Sequence, residues 1–190
     1  MPNIVSYSSV TERMTADGFR SLYHNSGAFG FAAGVETVSR GWIGPADGSI
    51  RESARLIAHQ ATEPFDETIA RALRSVWIRH LPGPMWIMPK SHWSYELEFG
   101  HRDWLPEALR EIGIDPKPLE KLNNAPAIAF EMKEADESEF FVRQLLNRLV
   151  SSDFQLVFPG HPMLCTLHTR CQLWWTMSRP ELIMMLDAAL

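Results

Sequence analysis

The stretch Met163 to Met177 alternates apolar and polar side chains, and it constrains the fold more than any other part of the chain. One parity carries Cys165, Leu167, Cys171, Leu173, Trp175 and Met177, with Thr169 the polar exception. The other carries Thr166, His168, Arg170, Gln172 and Thr176, with Trp174 an apolar exception. A period of two marks a strand buried on one face and wet on the other. No Gly, Pro, Asn or Asp interrupts it, so a tight hairpin at Thr169-Arg170 lacks the residues that tolerate positive φ. Such a hairpin would also pair His168 with Cys171 and mix the two faces. The expectation is one long strand, bent at most by a bulge.

A strand with one apolar face needs strand neighbours and a covering layer. Short apolar runs at Met85–Met88, Ala127–Met132 and Phe154–Phe158 read as further strands. Trp93, Tyr95, Leu97 and Phe99 alternate with Ser94, Glu96 and Glu98, so Trp93 to Phe99 reads as a strand joined to the first run by a hairpin at Pro89–His92. Helix signals fall between these runs. Ser49 with Glu52 makes a capping box for a helix over about Ile50–Ala61. A second helix starts near Pro64, buries Phe65, Ile69, Ala72, Leu73, Val76 and Trp77, and stops at Leu81-Pro-Gly-Pro84. Their short connection predicts an antiparallel pair.

Asp103 is placed to cap a helix through about Ile112, and Asp115-Pro116 to start a shorter one. Asp136 with Glu139 opens a helix to about Val150, and Ser178 with Glu181 opens another. The strand–helix–strand run from Ala127 to Phe158 is compatible with a parallel crossover.

These elements predict an α+β fold: a mostly antiparallel sheet of about five strands, helices packed on one face, and a helical pair at the front of the chain. All 190 residues read as a single domain. Within it, residues 1–48 form an irregular Gly-punctuated arm, 49–81 the helical pair and 85–190 the sheet with its helices. The glycines at 27, 30, 34, 41 and 44 fit neither a dinucleotide fingerprint nor a phosphate loop.

Composition narrows the function classes. A net charge of −5 without a Lys/Arg run gives no footprint for nucleic acid. No run of about 18 apolar residues supports a membrane span. Two cysteines, no disulfide framework and no signal-peptide pattern give the expectation of a cytoplasmic location. Cys165 and Cys171 would lie roughly 20 Å apart on one extended strand, beyond disulfide reach.

With helices on one face, the opposite sheet face would display Glu96 and Glu98 on one strand and His168, Arg170, Gln172 and Trp174 on another. His92 and His161 lie in the turns leading into them. A wet sheet face carries polar residues whatever the function, which is the plainest account of this set. Trp174 beside Arg170 has the composition of a binding hot spot.

Two functional expectations follow. The first is a soluble accessory module of bacterial type that binds a protein partner or small ligand through His168, Arg170, Gln172 and Trp174. The second is a small hydrolase using Glu96 or Glu98 as general base, or His92, Glu96 and His168 around a metal. Cys165-x-x-His168-x-x-Cys171 has metal-like spacing, but on a strand His168 faces away from both thiols. Neither a resident metal nor a cofactor is expected. No Gly-x-Ser-x-Gly elbow supports nucleophilic catalysis.

Overall fold

The computed structural model describes residues 1–23, 29–33, 39–43, 55–57, 64–161, 163–168 and 172–177. It opens with β1 (Asn3–Val5), α1 (Tyr7–Ala16), β2 (Phe19–Tyr23), β3 (Phe29–Ala33), β4 (Ser39–Ile43) and β5 (Arg55–Ile57). Next come α2 (Phe65–His80), β6 (Met85–Pro89), α3 (Trp93–Tyr95), which runs on as a π-helical turn over Glu96–Gly100, and α4 (Leu105–Glu111). The last described elements are β7 (Ala127–Phe130), α5 (Ala135–Arg148), β8 (Phe154–Val157), β9 (Met163–His168) and β10 (Gln172–Met177).

The class is α+β. Six strands form an antiparallel sheet in the order β1-β7-β6-β8-β9-β10. Beyond β10, β4 adds antiparallel and β5 adds parallel to β4. β7 and β8 both pair antiparallel with β6, so they run parallel to each other with β6 between them, and α5 makes the crossover.

Burial splits the sheet into two faces. The helical face carries Ile87, Ile128, Phe130, Phe154, Leu156, Cys165, Leu167, Leu173 and Trp175, packed with α2, α4 and α5 in one core. The spacing read for α2 holds: Ile69, Ala72, Leu73, Val76 and Trp77 are all buried. Its partner is α5, and Arg74 reaches from α2 to Asp136 (2.6 Å) and Glu139 (3.3 Å) on α5. These acids therefore bridge helices instead of capping α5. The capping box ahead of it is Glu131 with Glu134, on a 3-10 turn over Met132–Glu134.

The opposite, hairpin face is not left bare. Val10 and Met14 of α1, with Phe19 and Phe31 of the β2–β3 hairpin, pack on Met88, Ala127, Val157 and Leu164. Gln155 fixes the hairpin, since its amide donates to the Phe31 carbonyl (3.2 Å) and accepts from the Phe31 N–H (3.0 Å). Residues 1–48, expected to be irregular, thus contribute α1 and four strands. Of the front helical pair, the second helix is present as α2. Arg55–Ile57, inside the helix expected over 50–61, is a strand paired with β4, and that pairing overrides the local capping signal. The neighbouring residues 50–54 and 58–61, like the helix expected after Ser178, lie outside the described residues.

Two further expectations change. The stretch 163–177 is a hairpin, not one strand, with Leu173 opposite Leu167 and Gln172 opposite His168. Three residues, 169–171, separate the strands. The two-residue loop weighed from the sequence would have mixed the faces, whereas an odd connection of three preserves the alternation. The stretch Trp93–Phe99 is helical, because a helix buries Trp93, Glu96 and Leu97 together while leaving Tyr95, Glu98 and Phe99 exposed. His92 starts it: its Nδ1 accepts from the Tyr95 N–H at 3.1 Å.

Candidate functional site

One end of the hairpin face carries a row of polar side chains on four adjacent strands. Asp153, immediately before β8, lies beside His168 at the end of β9, one step beyond the Phe154–Leu167 pair. The His168 Nδ1 is 2.8 Å from Asp153 Oδ1. Lys90, immediately after β6, donates its backbone N–H to the Asp153 carbonyl (2.9 Å) and places Nζ 3.3 Å from Asp153 Oδ2. On β10, Gln172 lies opposite His168 and accepts from the Trp174 Nε1 at 3.1 Å. The Trp174 indole meets the His168 imidazole edge-on, with centroids 5.6 Å apart.

The row is neither core nor free surface. The side chains of Lys90 and His168 are 37% and 36% exposed, and that of Asp153 is 18%. Burial alone would push the Asp153 carboxyl up. The His168 hydrogen bond and the nearby His168 and Lys90 charges outweigh it and hold the carboxyl below its ordinary 3.8. A depressed folded-state value stabilises the fold fully above pH 3.8, and that contribution is lost as the pH falls through the lower, folded value. Asp153→Asn is therefore expected to flatten the fall in melting temperature below pH 3.8. An unchanged acid limb would show that Asp153 is not paired.

A second polar network sits on the helical face, directly behind the first. Glu96 is fully buried. Ser152 donates to its Oε2 at 2.7 Å, His101 Nδ1 lies 2.6 Å from the same oxygen, and Ser91 donates to Oε1. His101 Nε2 accepts from the Val150 N–H at 3.4 Å, which leaves Nδ1 as the protonated nitrogen facing the carboxylate. Trp104 and Phe154 pack against the same imidazole. Gly100 closes the π-helical turn, and a Cβ there would fall 2.7 Å from Glu96 Oε2. Only glycine lets the backbone pass the carboxylate so closely.

The residues singled out from the sequence therefore separate. His168, Gln172 and Trp174 come together on the hairpin face, while Arg170 lies outside the described residues. Glu96 belongs to the buried network. Glu98 is exposed on the π-helical turn, and His92 hydrogen-bonds Ser94 Oγ at 2.8 Å. His161 bonds the Pro82 carbonyl at 3.0 Å. Among the described residues no three His, Cys, Asp or Glu side chains are grouped to hold a metal. Cys165 is a free thiol on the helical face, and burial raises its pKa strongly.

Lys90, Asp153, Ser91, Ser152 and His101 were missed in the sequence. Each lies at the end of an element, and only the strand order brings them together. Among the described residues no helix is long and apolar enough to cross a membrane. Comparison of the chain with protein-family models, curated proteins and solved structures finds no match.

Proposed function

We propose that the chain is a binding protein whose recognition surface is the row of Lys90, Asp153, His168, Gln172 and Trp174, taking a protein partner or a small ligand. The observation that carries this reading is the His168–Trp174 contact, two half-exposed rings held in place by Asp153 and Gln172. A ring already fixed by its neighbours loses little conformational entropy on binding. Tryptophan beside a polar row is the composition of an interface hot spot.

A specific observation favours a second reading, acid–base chemistry in a small hydrolase. Asp153 pairs with the Nδ1 of His168, which leaves Nε2 as the nitrogen able to take up a proton. In this reading His168 is the base, because Glu96 is fully buried with both oxygens hydrogen-bonded.

One pair of variants tests both. Against a purified partner or ligand, Trp174→Ala is expected to weaken binding by roughly thirtyfold, the scale of a 2 kcal/mol hot spot. His168→Asn is expected to abolish any hydrolysis of simple esters that the wild-type protein shows. Wild-type affinity in folded Trp174→Ala would move the recognition surface elsewhere. Full turnover in His168→Asn would remove the base.

A further inference from the structure

We infer that the buried Glu96 carboxylate is the positioning group of the exposed row, acting through Ser91 and Ser152. The dipeptides Lys90-Ser91 and Ser152-Asp153 each straddle the sheet. Asp153 joins Lys90 and His168 on the hairpin face, while Ser91 and Ser152 bond opposite oxygens of one carboxylate on the helical face. Between them the Lys90 N–H reaches the Asp153 carbonyl at 2.9 Å. The ends of β6 and β8 are thus held three ways, by an ion pair in front, a backbone bond in the middle and a shared carboxylate behind.

The buried side of this clamp cannot drift. His101 bonds Glu96 and is itself fixed by the Val150 N–H, Trp104 and Phe154. Gly100 brings the backbone against Oε2. The titratable and charged groups near the clamp are His101, which faces Glu96, and Arg148, stacked 5.9 Å from the Trp104 ring centroid. In front they are Lys90, Asp153 and His168. A movement of Ser152 carries Asp153 with it, because they are adjacent residues at the end of one strand, and Asp153 sets the orientation of His168. The bearing of this coupling on recognition rests on the reading above. The coupling itself does not.

The test needs no ligand. Ser152→Ala removes one hydroxyl and leaves the Glu96–His101 pair in place. By NMR, the hydrogen-bonded His168 Nδ1–H resonance of the wild-type protein is expected to broaden or vanish, and the Lys90 amide to exchange faster. The amides of β7, one strand over, should keep wild-type protection, which separates repositioning from general destabilisation. A wild-type Nδ1–H signal and Lys90 protection in Ser152→Ala, and again in the double variant Ser91→Ala/Ser152→Ala, would overturn the inference. The coupling is read from these resonances alone, so a failed Trp174→Ala binding test would remove the recognition surface and leave the coupling standing.

Discussion

Glu96→Ala is expected to destabilise the protein by about 3–5 kcal/mol, the cost of stranding the three buried donors that converge on its carboxylate. The variant leaves the Ser91 and Ser152 hydroxyls and the His101 Nδ1–H without their acceptor. Each stranded group adds roughly 1–3 kcal/mol of unmet hydrogen bonding, part of which water entering the space recovers. Urea denaturation measures the effect as a lower midpoint at an unchanged slope. For a chain of this size the same loss lowers the melting temperature by roughly 6–20 °C. A loss below about 1 kcal/mol, the scale of a surface ion pair, would mean that the network does not form as described. Glu96→Gln should be milder, since its amide can still accept from His101 and Ser152 and donate to the Ser91 hydroxyl.

Trp93→Ala is expected to cost a comparable amount, about 3–5 kcal/mol, for a different reason: a large cavity opens in a close-packed core. Trp93 is fully buried, edge-on to Phe154 with centroids 5.8 Å apart, and its Nε1 donates to the Pro126 carbonyl at 2.7 Å. Its own N–H reaches the Asn124 carbonyl at 3.2 Å. The residue therefore ties α3 to the segment entering β7, and through Phe154 to β8. Thermal unfolding followed by near-ultraviolet circular dichroism should show both the loss and a changed aromatic signal. Trp93→Phe keeps much of the packing and should recover most of the stability. A melting temperature near wild type for the Ala variant would place Trp93 outside the core.

The helical face was legible because its signals are local and periodic. The α2 spacing, the apolar runs of β6, β7 and β8, and the Leu105, Ala108 and Leu109 face of α4 all ended in one core. The alternation in 163–177 gave the correct two faces but the wrong number of strands, since the parity of a three-residue connection mimics an uninterrupted strand. At Trp93–Phe99 the period of two was accidental. Trp93 and Leu97 also stand four residues apart, and a helix that buries Glu96 beside them satisfies the carboxylate.

The site was half legible for a related reason. His168, Gln172 and Trp174 share a face by parity alone. Asp153 and Lys90 join them only through strand order, which nothing in the sequence encodes locally. Ser91, Ser152 and His101 carry no motif at all, because a buried carboxylate is recognised by what converges on it from distant segments. The cover formed by α1 and the β2–β3 hairpin was illegible as well, since it depends on Gln155 meeting the main chain of Phe31, far away in sequence.

The pairing of β9 with β10 also sets which slips between the two strands this chain can accept. A slip of one residue would turn β10 over, sending Trp175 out of the core and Trp174 into it. A slip of two would keep both rings on their own sides. Length changes between His168 and Gln172 are therefore expected to be absorbed in the connection, while a one-residue change within β10 itself needs a bulge to restore the count.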